Sequence, residues 1–126
     1  MSIYTDAVSW TADKSLTLIP AVISAGQQYS TVVELGPALS VIGLYMPPTG
    51  GNWTTSSLQF FVSVDGVNFG SLVLPTGGVF NITNPPLGYC YGIDPHYLLP
   101  FQFVRVRSST NQVLKTTLTL VAKANA

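Results

Sequence analysis

Alternating apolar and polar positions run through most of the chain, and the clearest alternation lies in residues 58–74, LQFFVSVDGVNFGSLVL. The apolar residues at alternate positions of its first half are Leu58, Phe60, Val62 and Val64. This is the period of a β-strand with one buried face. Asp65-Gly66 follows at once, and Asp-Gly between apolar runs favours a hairpin, because glycine adopts positive φ without steric cost. The pattern predicts a β-hairpin whose second strand spans residues 67–74.

Similar short runs occupy the rest of the chain, separated by turns rich in glycine, proline or asparagine. The runs outside the hairpin are residues 15–24, 29–35, 39–46, 79–83, 89–93, 101–107 and 114–123. Pro20 lies inside the first run and indicates an edge strand or a bulge. No helical periodicity of useful length occurs, so we expect about eight or nine short strands in a sandwich or a barrel. The prediction is an all-β fold, an antiparallel two-sheet β-sandwich of the jelly-roll kind.

The alternation also predicts which side chains face the core. Those expected to face inward are Tyr29, Thr31, Val33 and Leu35 in one strand, Ile42, Leu44 and Met46 in the next, Val104 and Val106, and Leu118, Leu120 and Ala122 in the last. Arg105 and Arg107 then share the opposite face of their strand as a small basic stripe. A nucleic-acid surface needs more positive charge with interleaved aromatic residues, so we expect cross-strand pairing or an interface contact there.

Residues 1–14 lack clean periodicity and are predicted to form an extended N-terminal arm, followed by a single β-sandwich domain over residues 15–126. Tyr4 and Trp10 lie in this arm. Large aromatic side chains are costly to leave in water, so the arm is expected to pack on its own domain or on a neighbouring subunit. A chain of 126 residues is large enough for one core and needs no second one.

Charge is scarce in this sequence. Five basic and five acidic residues give a formal net charge of zero, and charged residues make up only 8% of the chain, against roughly 25% in an average soluble protein. Broad electrostatic attraction to nucleic acid or to an anionic membrane is therefore not expected. A weakly charged surface suits a protein that contacts other protein, although it is also compatible with a merely uncharged β domain.

Groups that could carry catalysis or hold a metal are few. The chain has one histidine, His96, and one cysteine, Cys90, which excludes an internal disulfide and is expected to be a small buried hydrophobe. Asp94 and His96 lie close together, but Asp94-Pro95 is typical of a helix start, so local capping explains their spacing. Asp65 belongs to the hairpin turn. We therefore predict no catalytic residue, no metal site and no cofactor.

Carbohydrate binding is the alternative that the aromatic residues keep open. Trp53 lies in a glycine-rich loop, and Tyr89, Tyr91 and Tyr97 gather near a second loop. Exposed rings of this kind could form a platform for a sugar, whereas aromatic residues of a β-sandwich are more often core or interface residues. The N-terminus has no basic start and no long apolar run, so we expect no secretion signal and no membrane segment.

Four segments resemble a known class of proteins. They are Val41-Ile42-Gly43-Leu44-Tyr45-Met46-Pro47, Leu58-Gln59-Phe60 with Ser63-Val64-Asp65-Gly66 and Phe69, Val104-Arg105-Val106-Arg107-Ser108-Ser109, and Thr117-Leu118-Thr119-Leu120. Together they resemble small β-sandwich virion structural proteins of tailed bacteriophages and prophages, some of which are similar to capsid cement or decoration proteins. The hairpin alone also resembles discoidin-like and other carbohydrate-binding sandwiches. The resemblance implies a non-enzymatic virion component and brings no set of functional residues.

The sequence therefore leads to two hypotheses. The first is a capsid cement or decoration protein that binds the outer capsid surface as a homo-oligomer such as a trimer, with the major capsid protein or other virion proteins as partners. It would be located in the virion, assembled in the host cytoplasm. Residues expected to make these contacts are Tyr4, Trp10, Trp53, Tyr97, Arg105 and Arg107. The alternative is a receptor-binding or glycan-binding module of a phage head or tail fibre that uses Trp53 and the tyrosine-rich loop.

Overall fold

The computed structural model describes residues 16–98 and 101–124. The predicted arm, with Tyr4 and Trp10, lies outside the described residues. Nine strands occur in the described part: β1 Leu16–Ile23, β2 Val33–Glu34, β3 Leu39–Tyr45, β4 Leu58–Ser63, β5 Gly70–Ser71, β6 Asn81–Ile82, β7 Cys90–Gly92, β8 Phe103–Ser108 and β9 Thr116–Ala124. A 3-10 helix spans Gly36–Ala38, and a single α-helical turn, α1, spans Pro95–Leu98.

The strands form two antiparallel sheets. The first sheet has the order β1-β9-β3-β7, and the second has the order β2-β8-β4-β5, with β6 also paired to β4. Most consecutive strands alternate between the sheets, which is the arrangement of a jelly roll. The predicted two-sheet β-sandwich is thus confirmed. β1, which contains Pro20, lies at a sheet edge as expected for proline within a strand.

The core lies between the two sheets and is filled by the inward positions of the longer strands. The largest fully buried apolar side chains are Phe60, Ile23, Leu44, Leu58, Leu98, Leu118 and Leu120. Strands β4, β8 and β9 bury the residues that the alternation predicted, including Val104 and Val106 from β8. Because Val104 and Val106 face inward, Arg105 and Arg107 lie on the outer face of the second sheet.

The prediction for residues 29–35 was wrong in its first half. Val33 is buried, but Tyr29 is 38% exposed and Ser30 is buried in its place. The chain passes between the two sheets here, since Tyr29 bridges to Arg107 of the second sheet and the next residue, Ser30, bridges to Ile23 of the first. The Oγ of Ser30 accepts a hydrogen bond of 3.0 Å from the amide of Val106. This bond satisfies the buried hydroxyl, and the crossing reverses the direction of the side chains.

A bulge in β3 changes the core face that the alternation predicted. The register with β9 shifts between Val41 and Gly43. Val41 is fully buried, whereas Ile42 is only half-buried. An extra residue at a bulge reverses the side chains on one side of it. Leu44 and Met46, which lie after the bulge, are buried as predicted.

The predicted hairpin is present, with a longer turn and a shorter return strand. β4 pairs with β5 through Phe61 opposite Ser71, so residues 64–69 form the connection. Val64 is 65% exposed because the strand has already ended. Asp65 organises the turn: its Oδ1 accepts hydrogen bonds from the amides of Val67 and Asn68 at 2.8 and 2.9 Å. These bonds, with those from the side chains of Ser63 and Asn68, hold the pKa of Asp65 well below its usual range.

The side chain of Gln112, in the turn between β8 and β9, forms hydrogen bonds with the loop that precedes β4. It is fully buried, and its side-chain Oε1 accepts a hydrogen bond of 2.8 Å from the amide of Thr54. Its Nε2 donates to the carbonyl of Thr54 at 3.1 Å and to Ser56 Oγ at 3.3 Å. The hydroxyl of Thr116 donates to the same Oε1 at 3.2 Å. The sequence indicated only a turn at this position, so this buried polar network was missed.

Candidate ligand-binding face

Aromatic and arginine side chains gather on the outer face of the second sheet. Those that form this arginine–aromatic face are Tyr29, Phe61, Phe69, Phe103, Arg105 and Arg107. The strand pairing explains the assembly, because Phe61 of β4 lies directly opposite Arg105 of β8 and Tyr29 bridges to Arg107. Residues opposite each other in an antiparallel pair place their side chains on the same face. All of these side chains are half-buried or exposed, so solvent reaches the face.

The guanidinium group of Arg105 lies against two aromatic rings. Its Cζ is 4.3 Å from the ring centroid of Tyr29 and 4.5 Å from that of Phe69. The ring of Tyr29 also meets Phe61 edge to face, with centroids 5.3 Å apart and an interplanar angle of 81°. The rings of Tyr29 and Phe69 both attract the positive charge of Arg105. They also restrict the long arginine side chain to one position on the sheet.

Arg107 reinforces the positive character of the same surface. Its Cζ is 5.7 Å from the Tyr29 centroid, and its Nη2 donates a hydrogen bond of 3.3 Å to Oε1 of Gln28. No ion pair involves either arginine within residues 16–98 and 101–124. The Nε atoms of Arg105 and Arg107 are buried and have no hydrogen-bond partner among the described residues. The face therefore carries two positive charges that form no ion pair in the described part of the chain.

The turn of the hairpin supports one end of this face. The ring of Phe103 lies so close over Gly66 that a Cβ on the glycine would be 3.1 Å from two ring carbons. Gly66 also has a φ of +80°, which glycine adopts without strain. The hydrogen bonds of Asp65 fix the same turn. The rigid turn and the paired strands thus hold the aromatic rings in place.

Tyr97, one of the predicted interface residues, lies elsewhere. Its ring packs edge to face on Phe80, with centroids 5.7 Å apart. It lines a cavity of about 170 Å³ whose other lining residues are Val62, Ser71, Leu72, Val73, Pro75, His96 and Phe101. His96 projects outward, with 83% of its side chain exposed, and its amide donates to Asp94 at 3.0 Å. This bond, with the contact from the His96 ring, lowers the pKa of Asp94, and the predicted capping role of Asp94 is confirmed.

Trp53 is less exposed than the ring of a sugar-binding platform would be. It is half-buried and packs against the core, and its Nε1 is buried with no hydrogen-bond partner among the described residues. Tyr89 pairs with Tyr91 at a centroid distance of 6.4 Å, whereas Tyr97 pairs with Phe80. The tyrosines expected to form one platform therefore contact different partners. The half-burial of Trp53 and Tyr97 reflects packing within their own domain, and their predicted partner contacts stay predictions.

The outer face of the first sheet is apolar and weakly charged. Leu18 is 62% exposed and Tyr45 is 46% exposed on this side. A shallow depression of about 390 Å³ is lined by Tyr45, Met46, Pro48, Thr49, Gly88, Cys90 and Thr119. The expectation that Cys90 is buried was wrong, because β7 is an edge strand and Cys90 lies opposite Tyr45 on the outer face.

Within residues 16–98 and 101–124, no group of three or more His, Cys, Asp or Glu side chains is placed to hold a metal ion. The same ranges contain no helix that is long and apolar enough to cross a membrane.

The arginine–aromatic face contains residues that sequence reasoning had missed. Arg105 and Arg107 were named, but Tyr29 was expected in the core, and Phe61 and Phe69 were not considered as site residues. The doubled phenylalanine of Phe60-Phe61 was the available signal, because two adjacent residues of a strand point to opposite faces. The aromatic interleaving that the sequence did not display arises because residues from distant parts of the chain meet on one face.

Comparison with known proteins identifies similar folds. No protein-family model and no curated protein matches the chain. CBM32-1, a carbohydrate-binding module from a family 31 glycoside hydrolase of Clostridium perfringens, matches with a TM-score of 0.53 at 11% identity, covering 86% of this chain and 76% of that chain. The C-terminal domain of a chitobiase from Bacteroides fragilis gives 0.48 at 15% identity, covering 78% and 64%.

A third structure, a Bacteroides thetaiotaomicron chain assigned as an α-L-fucosidase, gives a TM-score of 0.50 at 15% identity, covering 84% of this chain and 22% of that chain. The chain thus spans less than two thirds of the chitobiase domain and of the fucosidase chain. At such low identities the likeness concerns the fold, a β-sandwich, and transfers no residue.

Proposed function

We propose that this protein is a non-catalytic carbohydrate-binding domain and that the arginine–aromatic face is its binding surface. The observation that carries the proposal is the guanidinium of Arg105, set between the rings of Tyr29 and Phe69 with no carboxylate partner in the described part of the chain. Such a group is rigid and retains hydrogen-bonding capacity. Both properties favour binding, because little side-chain freedom is lost when a ligand arrives.

The chemistry of the face suits a sugar. A pyranose ring presents C–H groups on its flat side and hydroxyl groups around its rim. Exposed aromatic rings such as Tyr29 offer apolar area to the C–H groups, and guanidinium and amide groups such as those of Arg107 and Gln28 can bond the hydroxyls. Arg107 lies in strand β8, and the bridge between Tyr29 and Arg107 holds the neighbouring segment against that strand.

The fold likeness adds weaker support for the same proposal. The chain shares its β-sandwich fold with a domain described as a carbohydrate-binding module. Folds host many functions, so the likeness raises the expectation of carbohydrate binding without identifying a site. The proposed site is the outer face of the second sheet, whereas the sequence predicted a site at Trp53 and the tyrosine-rich loop.

A glycan array with two matched variants tests the proposal. Tyr29→Ala removes a ring from the arginine–aromatic face, and Tyr45→Ala removes a ring of similar exposure from the other sheet, at 38% and 46% respectively. We expect the wild type and Tyr45→Ala to bind the same glycans, and Tyr29→Ala to bind about tenfold more weakly, which corresponds to roughly 1.4 kcal/mol. Absence of glycan binding by the wild type, or equal loss in both variants, would contradict the proposal.

A virion structural role is the second candidate, and the outer face of the first sheet favours it. Leu18 and Tyr45 expose apolar area there, and a surface of low charge promotes association with other protein. In this case the partner is the major capsid protein, and the chain binds it as a homo-oligomer. Capsids assembled without the protein should then bind it, and Leu18→Glu should abolish that binding. A monomer that fails to bind such capsids would contradict this role.

A further inference from the structure

We infer that the glycan bound by the arginine–aromatic face carries an anionic group, either the carboxylate of a sugar acid or a sulfate ester. This inference rests on the proposed carbohydrate-binding function and names its ligand class. It follows from two positive side chains that share one sheet face and lack an acidic partner in the described part of the chain.

No described carboxylate forms an ion pair with Arg105 or Arg107. Asp65 is fully engaged by the turn of the hairpin, and Asp94 pairs with His96. Glu34 lies on the same face, since it is opposite Phe103, and it is exposed there but forms no ion pair with either arginine. Like charges held close together repel each other, and an anionic ligand between them would remove that repulsion.

Stacking explains where Arg105 lies but leaves its hydrogen-bonding groups unused. The rings of Tyr29 and Phe69 attract its charge, yet the side chain makes no hydrogen bond to any described residue. A guanidinium is planar and directs its N–H groups in that plane. Rings that stack on the faces of a guanidinium leave its N–H edges uncovered. The Nε of Arg105 is buried, so a carboxylate or sulfate would accept two parallel hydrogen bonds from the Nη1 and Nη2 atoms.

The small number of charges favours one anionic group over a polyanion. The face has two arginines, and the whole chain has a formal net charge of zero. Nucleic-acid binding depends on neutralising many phosphates and needs a larger basic surface. Rings that can contact sugar C–H groups, beside two guanidinium groups, suit an acidic sugar unit better.

The test is an array that contains each glycan in neutral, carboxylated and sulfated form, probed with the full chain. The variants are Arg105→Gln, Arg107→Gln and, as the matched control for loss of one positive charge, Lys123→Gln on the first sheet. We expect the acidic forms to bind more tightly than their neutral counterparts. We expect each arginine variant to lose about tenfold or more in affinity for the acidic form and clearly less for the neutral form, and Lys123→Gln to lose none for either.

The salt dependence of binding by the wild type tests the same inference without any variant, so it does not depend on whether the variants fold. Binding of the wild type to the acidic form should weaken as sodium chloride is raised, whereas binding to the neutral form should change little. If neutral and acidic forms bind equally and salt has no effect, the inference is overturned while the carbohydrate-binding function stands. If no glycan binds in any form, both fail. Selective binding of the carboxylated or the sulfated form identifies the anion.

Discussion

At the scale of single residues, Gly66 occupies a position that no other amino acid fits well. Its φ is +80°, and a Cβ would lie 3.1 Å from the ring of Phe103. Gly26 has nearly the same φ, +81°, but a Cβ there would meet nothing within 4 Å. The two glycines therefore separate the cost of the backbone conformation from the cost of crowding the ring.

We expect Gly26→Ala to lower the free energy of unfolding by about 1 kcal/mol, and Gly66→Ala by about 2 kcal/mol or more. Chemical denaturation of both variants and the wild type measures the difference. Gly78→Ala, at a position with open space and no left-handed φ, should change stability little. Equal losses for Gly66→Ala and Gly26→Ala would show that Phe103 does not cover the turn.

Asp65 should make the stability of the fold depend on pH, because its pKa is depressed in the folded protein. A depressed pKa stabilises the fold above the unfolded pKa of about 4, and this contribution disappears as pH falls towards the folded pKa. We therefore expect Asp65→Asn to be less stable than the wild type at pH 7, and the difference to shrink below about pH 4. Denaturation curves of the wild type and the variant, measured at pH 7 and again below about pH 4, test this expectation. A difference that is independent of pH would mean that the charge of Asp65 is irrelevant.

The role of Asp65 was predictable because its hydrogen bonds are local and its motif is short. Phe61 and Tyr29 were not predictable in the same way. Their place on the arginine–aromatic face depends on Arg105 and Arg107, which only the pairing of distant segments brings next to them. Sequence alternation indicates which side of a strand a residue occupies, but it does not say which strand lies next to it.

At the scale of elements, the long regular strands were predicted well and the irregular ones were not. β8 and β9 alternate without interruption, so their buried faces follow directly from sequence. β3 contains a bulge, and the chain around Ser30 passes between the sheets. A glycine inside a strand often marks a bulge, and Gly43 is such a sign in β3, whereas the crossing at Ser30 has no glycine or proline of its own. Each feature reverses the side-chain direction along its strand.

Gln112 supplies the prediction at this scale. Its buried amide joins the loop before β4 to β9 through Thr54, Ser56 and Thr116. We expect Gln112→Ala to lower the free energy of unfolding by about 2–4 kcal/mol, because the buried groups left behind lose their partners. The neighbouring Asn111 is exposed, and Asn111→Ala should change stability by less than about 0.5 kcal/mol. Thermal or urea denaturation distinguishes the two, and similar effects in both variants would contradict the structural role of Gln112.

At the scale of the whole molecule, the two outer faces of the sandwich differ in chemistry. The second sheet presents arginines with aromatic rings, whereas the first presents apolar and threonine side chains with little charge. Composition revealed the scarcity of charge but not its distribution. The few charges indicate a candidate binding surface only when the fold shows that two arginines lie together on one face. A carbohydrate site on one face and a protein contact on the other are physically compatible, since the sheets lie on opposite sides of the core.

The most direct measurement is an NMR titration of the ¹⁵N-labelled protein with the glycans that an array selects. We expect the backbone amide signals that shift to be those of Tyr29, Phe61, Phe69, Arg105 and Arg107, together with the side-chain N–H signals of the two arginines, while the signals of β1 and β9 stay unchanged. Shifts centred on Trp53 and Tyr97 would return the site to the loops predicted from sequence. Shifts confined to the first sheet, or no shift with any glycan, would contradict the assignment of the arginine–aromatic face as a carbohydrate-binding surface.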